Sequence, residues 1–313
     1  MDTRQIGKLN VSVLGLGCNN FGDKMDEQAT TDVVNAALDA GINYFDTADG
    51  YSAGESEALL GRALGSRRDQ AVIATKFGSG SAVPEGEVAG SASWVAKAAD
   101  RSLHQLGVDV IDHYQMHKPD PTTPIVETLG ALQALIDGGK VREIGCSNFS
   151  AAQLNEMATA ASENDLTPFA TVQNRYSVLT RGPEADGVLD ASRDHNVGVV
   201  PYFPLESGLL TGKYRKGADL PEGSRLQAWS SLPHGTMFLT DPMLDAMEAL
   251  IEYAESCNHT ILELGLSWLA GKPEVPTIIA GATTTDQVAA NVAACSWVLS
   301  DAERAAIEAL RPA

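Results

Sequence analysis

The sequence predicts a (β/α)8 barrel, or TIM barrel, with an N-terminal β-hairpin and a long loop after the seventh barrel strand. The first reason is that eight strand-like runs alternate with eight helix-like runs along the chain. The second is that no change in composition and no Pro/Ser-rich linker divides the 313 residues. Because an open doubly wound sheet seldom has eight near-equal repeats, we expect one barrel domain over residues 1–313.

The first predicted elements are a hairpin, a strand and a helix. Alternating residues at 4–14 predict a hairpin with its turn at residues 8–10, and an apolar strand follows at 13–17. A polar turn then leads to an amphipathic helix at about residues 31–40. The other predicted strands, each with the helix that follows it, are 42–46 with 55–64, 71–75 with 94–106, 108–117 with 124–138, 141–147 with 151–161, 169–174 with 186–195, 197–203 with 242–257, and 275–280 with 286–294.

The composition argues against several classes of function. The chain has 41 acidic and 22 basic residues, a formal net charge of −19 and a pI near 4.6. A surface of this sign repels nucleic acid and anionic membranes, and no dense Lys/Arg run offsets it, so we expect neither as a partner. The N-terminus lacks a signal-peptide pattern, and no apolar run approaches the ~18 residues of a membrane span. We therefore expect a cytoplasmic protein.

The cysteines indicate neither disulfides nor a metal centre. Cys18, Cys146, Cys257 and Cys295 are scattered, without a CxxC pair and without a histidine at ligand spacing. We expect them to be reduced and mostly packed, and we predict no metal ligands.

Polar side chains recur at the predicted strand ends, which converge on one rim in a barrel. Asp46 ends the second barrel strand and Tyr51 follows in its loop, while Lys76 and His117 end the next two strands. Taken singly, each has a structural explanation as a turn cap, a packed ring, a solvated strand end or a loop residue. Together they form a mechanism, because a lysine can lower the pKa of a nearby phenol while an aspartate keeps that lysine charged. Tyr51 is therefore a candidate general acid.

A dinucleotide-binding open sheet is the alternative fold for a protein with a glycine pair after its first strand. Such a fold requires the pattern GxGxxG. Here Gly15 and Gly17 supply the first two glycines, but Asn20 stands where the third belongs. The motif fails, and nothing else in the sequence supports that fold.

Several motifs, taken together, resemble the aldo-keto reductase superfamily, in the branch that includes bacterial aldo-keto reductases and potassium-channel β-subunits. They occur in the family's order and extend over nearly the whole chain, at residues 45–51 with 54–57, 75–76, 114–117, 139–149, 173–177 and 208–214. The resemblance implies a barrel that binds a nicotinamide nucleotide and passes hydride directly to or from a small-molecule carbonyl or alcohol substrate.

The resemblance also implies a catalytic tetrad. By similarity, Tyr51 exchanges a proton with the substrate oxygen, Lys76 and Asp46 tune its acidity, and His117 orients or polarises the carbonyl. All four positions carry the residues of an active enzyme.

Cofactor contacts follow from the same resemblance. Ser147, Asn148 and Gln173 match the residues that bind the nicotinamide carboxamide, and Tyr202 matches the aromatic that stacks on the ring. The segment that wraps the pyrophosphate contributes Pro204, Leu205, Ser207, Gly208 and Lys213. The adenosine segment after the last strand contributes Gly281, Thr283, Gln287 and Asn291.

The sequence gives opposing indications of whether the cofactor carries a 2′-phosphate. Residues 281–291 carry no Arg or Lys for a 2′-phosphate, although many relatives do. Lys213 and Arg225 can compensate, so we favour NADP(H), with NAD(H) as the alternative. Glu206 lies in the phosphate segment and would repel phosphate unless it points outward.

The long loop at residues 212–237, which contains Trp229, Pro233 and His234, is either a lid over the cofactor or substrate or a solvent loop on the barrel edge. We expect residues 78–93 and 19–21 to line the substrate side. Since aromatic residues are only 6% of the chain, we favour a small polar carbonyl or a sugar as substrate.

Three classes of function are compatible with a barrel of this kind. The first is a carbonyl reductase or alcohol or sugar dehydrogenase, and the second is a redox-slow, nucleotide-binding regulatory subunit. The third, a metal hydrolase, is disfavoured because the strand ends lack His/Asp clusters. The intact tetrad favours the first function, and the oligomeric state is left open.

Overall fold

The strands and helices follow in regular alternation in a computed structural model that describes residues 1–310, apart from the side chains of Ser81, Pro233 and His234. Residues 311–313 of the expected domain range and the side chains of Pro233 and His234 in the long loop thus lie outside the described part. The strands are β1 (Thr3–Ile6), β2 (Leu9–Ser12), β3 (Leu14–Gly17), β4 (Tyr44–Asp46), β5 (Val72–Phe77), β6 (Ile111–Met116), β7 (Val141–Ser147), β8 (Thr171–Arg175), β9 (Gly198–Tyr202) and β10 (Ile278–Gly281).

Helices cover the outside of this sheet and extend into the connections. They are α1 (Glu27–Asp39), α2 (Glu55–Leu64), α3 (Ala92–Leu106), α4 (Ile125–Asp137), α5 (Ala151–Glu163), α6 (Gly182–Ala185), α7 (Val188–Asp194), α8 (Arg225–Trp229), α9 (Pro233–Thr236), α10 (Asp241–Ser256), α11 (Ile261–Ala270), α12 (Thr285–Ala293) and α13 (Asp301–Ala309).

The sheet is a nearly closed parallel barrel. Its eight strands are hydrogen-bonded in the order β10-β3-β4-β5-β6-β7-β8-β9. At the remaining seam, the Val199 N–H of β9 donates to the carbonyl of Glu274, just before β10, over 2.7 Å. The prediction of a (β/α)8 barrel is confirmed.

The N-terminal hairpin closes the end of the barrel where the strands begin. Ile6, Leu9 and Val11 are buried against Tyr44 and other residues inside the barrel. The predicted turn at residues 8–10 is wrong, because Ile6 pairs with Leu9 and the turn is Gly7-Lys8. Gly7 has φ +54°, the left-handed conformation that a two-residue hairpin turn requires.

Two helix boundaries differ from the prediction for identifiable reasons. Helix α1 begins at Glu27, four residues earlier than expected, because the Asp26 carboxylate caps it by accepting from the Ala29 N–H over 2.9 Å. The helix expected at 186–195 is α7, which begins two residues later than expected because Gly187 adopts φ +75° at its start, and the short helix α6 precedes it.

Helix α11 was missed in the sequence because it is apolar on almost every side. Its residues Ile261, Leu264, Trp268 and Leu269 are all buried, so it has no polar face to create a helical period. Its N-terminus did carry a signal: Thr260 and the side chain three residues later form a reciprocal capping box. Within residues 1–310, no helix combines the length and apolarity needed to cross a membrane.

Candidate active site

One cavity of about 960 Å³ lies where the barrel strands end. Every residue predicted to contact a cofactor lines it, from Ser147 on β7 to Asn291 on α12. Asp46, Tyr51 and His117 line the same cavity, and Lys76 lies behind them with its side chain fully buried. The converging strand ends thus bring together side chains that are far apart in sequence.

The Asp46–Lys76 ion pair is the most buried charged feature of the cavity floor. Lys76 Nζ lies 2.6 Å from Asp46 Oδ2 and donates a second hydrogen bond of 2.8 Å to the Thr47 carbonyl. The other Asp46 oxygen, Oδ1, accepts from Gln173 Nε2 at 2.9 Å and from Gln115 Nε2 at 3.3 Å. Burial by itself lowers the pKa of Lys76, but Asp46 and Tyr51 raise it above its ordinary value. The lysine therefore stays charged.

Tyr51 lies between this charge and His117. Its phenol is hydrogen-bonded to Lys76, whose Nζ is 5.2 Å from the ring centroid. The His117 ring meets it edge-on, with centroids 5.8 Å apart. Burial raises the pKa of Tyr51, and the Lys76 charge only partly opposes this, so the lowered phenol pKa expected from the sequence is not the net result. Tyr51 is protonated at neutral pH.

His117 is held neutral. Burial and the charges of Lys76 and Lys118 lower its pKa to about 3. Its Nδ1 is buried and has no hydrogen-bond partner within the described residues. At neutral pH the ring can orient a carbonyl oxygen by a hydrogen bond, but it has no proton to spare as an acid.

The residues matched to the nicotinamide side already form a connected network. Asn148 Nδ2 donates to Ser147 Oγ and to the His117 carbonyl, both over 3.0 Å. Asn148 Oδ1 accepts from the Tyr202 hydroxyl at 2.8 Å. Asn148 therefore has to exchange partners to bind a carboxamide, whereas Gln173, whose nitrogen is held by Asp46, keeps an amide oxygen as an acceptor.

The loop after β9 carries the residues that were matched to the cofactor phosphates. Ser207 and Gly208 line the cavity, and the buried Ser207 Oγ has no hydrogen-bond partner among the described residues. Glu206, which the sequence left unexplained, does not line the cavity; it is buried on the other side of the loop. An unpartnered hydroxyl at the wall of a cavity fits an acceptor-rich ligand such as a diphosphate.

Three cations that lie near one another line the cavity, Lys24, Lys213 and Arg225, and a fourth, Lys118, lines it next to His117 in sequence. None of them forms a salt bridge within residues 1–310. Burial first, and then the charges of Arg225 and Lys213, lower the pKa of Lys24, although Asp23 opposes this. Such mutually repelling cations fit an anionic ligand.

The segment matched to the adenosine end is partly ordered by its own side chains. The Thr283 N–H donates to Gln287 Oε1 over 2.8 Å, and Asn291 is buried at the cavity wall. Asn20 lies beside Gly281, with its Nδ2 3.6 Å from the position of an ideal Cβ there. Asn20 therefore lies beside the segment matched to the adenosine end, whereas the sequence placed it on the substrate side.

Other site expectations were incomplete. Phe21 is fully buried in the core, and the described residues of 78–93 do not line the cavity. Gln115 and Lys24 were missed. Gln115 lies in β6 two residues before His117, on the same strand face, which was a usable signal. Lys24 lies in a loop where no period identifies it.

The comparisons with known proteins agree with this geometry. The model of the aldo/keto reductase family matches residues 13–312. The chain is 33% identical over 302 residues to a protein of Arabidopsis thaliana named probable voltage-gated potassium channel subunit beta, covering 94% of this chain and 91% of the relative. It is 34% identical over 319 residues to the NADH-specific methylglyoxal reductase of Escherichia coli (strain K12), covering 94% and 93%.

A solved structure is similar over the whole barrel. It is the holo form of aldo-keto reductase AKR11C1 from Bacillus halodurans, with a TM-score of 0.80 and 32% identity, covering 99% of this chain and 96% of that one. The fold and these matches define an oxidoreductase built on a TIM barrel. The chain belongs to the aldo/keto reductase family.

Proposed function

We propose that the protein interconverts a small aldehyde, ketone or sugar and its alcohol, with Tyr51 as general acid in reduction and general base in oxidation. The observation that carries this proposal is the buried Asp46–Lys76 pair directly beside the Tyr51 phenol at the cavity wall. A buried ion pair of this kind is costly to build, and such arrangements cluster at functional sites.

The protonation states decide the roles. His117 is neutral because its pKa is about 3, so it cannot be the acid at neutral pH. Tyr51 carries a proton, and the Lys76 ammonium is hydrogen-bonded to it. When Tyr51 gives its proton to the substrate oxygen, the phenolate that remains is stabilised by Lys76. In oxidation the proton moves the other way, and the bound nicotinamide supplies or accepts the hydride.

The residues present fit a nicotinamide nucleotide. The unpartnered Ser207 hydroxyl and the three unpaired cations Lys24, Lys213 and Arg225 suit its phosphates. We favour NADP(H), because these cations exceed what a diphosphate alone requires. The NADH-specific relative keeps NAD(H) as the alternative.

We also propose that residues 212–237 cover the bound cofactor. Arg225 Nη2 of α8 donates to Asn20 Oδ1 over 2.8 Å and so connects this segment to the loop after β3. The guanidinium carbon lies 5.3 Å from the Trp229 ring centroid, and Leu226 is fully buried. A loop on the barrel edge that faced only solvent would not make these contacts.

A second function has support from the relative that is named a probable voltage-gated potassium channel subunit beta. A redox-slow nucleotide-binding subunit would have the same cavity. A panel of small aldehydes, ketones, sugars and alcohols, assayed with NADPH and NADH and with the oxidised cofactors, separates the two functions. Turnover of at least about 1 s⁻¹ on one member supports the enzyme. Tight nucleotide binding without multiple turnover on any member would favour the subunit.

A further inference from the structure

Glu206, in the loop after β9, is buried in an ion pair with Arg175. The Glu206 side chain is fully buried, and the Arg175 side chain is 16% exposed. Arg175 Nη2 donates to Glu206 Oε2, and the Ser177 hydroxyl donates to Oε1 over 2.6 Å. Both carboxylate oxygens are therefore partnered by residues at and just after the end of β8.

Arg175 also contacts the end of the long insertion. Its guanidinium carbon is 4.6 Å from the Phe238 ring centroid, and its Nη1 is 3.6 Å from Met237 Sδ. A single side chain thus connects the last residue of β8, the loop after β9 and the segment that follows α9. Movement of any one of these would disturb the other two.

The loop itself has an unfavourable backbone. Phe203, Glu206 and Ser207 have φ values of +51°, +47° and +56°, in the left-handed region that residues with a side chain seldom adopt. Gly208 follows with φ +102°. Such a run persists only where surrounding contacts hold it, and Glu206 is the residue of this run that is anchored by a charge.

Neighbouring residues of the loop face opposite sides. Glu206 is turned towards Arg175, while Ser207 and Gly208 line the cavity, with the Ser207 hydroxyl buried and unpartnered within the described chain. We propose that Arg175 and Glu206 are a positioning pair that presents Ser207 and Gly208 to the diphosphate of the bound nicotinamide nucleotide. This inference rests on the proposed function.

Two physical models of Glu206 predict opposite effects of its substitution on NADPH binding. If its charge acted only at long range, removing it would remove repulsion, and Glu206→Gln would bind NADPH more tightly. If it positions the loop, the same change weakens binding although the net charge near the phosphates becomes more positive. Arg175→Met should weaken NADPH binding further, because it also leaves an unpaired carboxylate behind an anion site.

The test uses the full-length protein and measures dissociation constants for NADPH and for adenosine 2′-phosphate, which has the adenosine end of NADPH but neither phosphate of the diphosphate. We expect Glu206→Gln to raise the NADPH dissociation constant at least about tenfold, or 1.4 kcal/mol. The affinity for adenosine 2′-phosphate should change less than about twofold, and kcat at saturating NADPH less than about threefold, because adenosine and tetrad contacts are untouched. A general structural defect would alter all three quantities.

Glu248→Gln is the matched control, since it breaks the exposed ion pair between Glu248 and Arg215 without touching the cavity. NADPH binding unchanged or tightened in Glu206→Gln, or NADPH and adenosine 2′-phosphate weakened equally, overturns the inference. If Glu206→Gln does not fold, Ser177→Ala removes one hydrogen bond to the carboxylate, together with those that Ser177 Oγ accepts from the Leu179 and Thr180 N–H groups, and the same comparison of NADPH and adenosine 2′-phosphate binding decides its outcome. A wild-type protein that binds neither NADPH nor NADH would instead refute the proposed function.

Discussion

Asp46→Asn tests the electrostatic basis of the site with almost no change in shape. Asp46 Oδ2 accepts from Lys76 over 2.6 Å, and Oδ1 accepts from Gln173 and Gln115. An asparagine amide has one oxygen and one NH2 group in place of the two oxygens. Whichever way it is oriented, its NH2 faces either the lysine ammonium or two amide donors, so hydrogen bonds are lost in both orientations.

The magnitude follows from burial. Lys76 is fully buried and Asp46 nearly so, and removing one partner of such a pair costs about 3–5 kcal/mol. For a chain of this size that corresponds to a Tm lower by roughly 5–8 °C. Because burial lowers the pKa of Lys76 once Asp46 no longer opposes it, Lys76 should lose its proton at lower pH than in the wild type. The alkaline limit of turnover should move down by at least about one pH unit.

The assay is thermal unfolding together with kcat across pH 5–10, a range of about five units around the ordinary pKa values concerned. Asp46→Glu is the control that retains the negative charge, and it should keep the alkaline limit closer to that of the wild type. An unchanged Tm with an unchanged pH profile in Asp46→Asn would refute the idea that this carboxylate holds Lys76 charged.

Three other changes test separate parts of the structure. Burial raises the pKa of Asp49 from 3.8 to about 7, so the folded protein holds the proton of this carboxyl more tightly than the unfolded chain does. The free energy of unfolding that this contributes is complete below the unfolded-state pKa and is lost as pH rises through about 7. Asp49→Asn should therefore match the wild-type Tm near pH ~4 and be more stable than the wild type above pH 7, by at most about 4 kcal/mol. A variant as stable as the wild type at both pH values would contradict this. Arg225→Ala should raise the NADPH dissociation constant at least about tenfold and that of NADH less than about threefold, and equal losses would contradict a 2′-phosphate contact. Gly61→Ala would place a Cβ 2.1 Å from the Leu106 carbonyl oxygen, so unfolding should show a loss of about 1–3 kcal/mol or more, and an unchanged Tm would show that α2 can shift.

The sequence predicted the barrel because its strands and amphipathic helices have clear periods. The prediction failed where a segment has no hydrophobic period or where a special backbone conformation determines the local structure. Helix α11 has no polar face, and the hairpin turn depends on the left-handed conformation of Gly7. A boundary such as Glu27 depends on one capping side chain, which a hydrophobic pattern does not register.

The candidate site was predictable to the extent that polar residues stand at strand ends. Asp46, Lys76 and His117 could be placed on one rim from the order of the strands alone. What the sequence could not give is the direction of side chains and the balance of burial against charge. Glu206 turns away from the cavity to meet Arg175, and the pKa of Tyr51 is raised because burial outweighs the lysine charge.

The central claim is that Tyr51 transfers the proton, and Tyr51→Phe tests it most directly. The change removes one hydroxyl and leaves the ring beside His117. Measured on the best substrate of the panel at saturating cofactor, kcat should fall at least ~10²-fold, the scale of a general acid, while the NADPH dissociation constant stays within about twofold. Turnover equal to that of the wild type would contradict the mechanism.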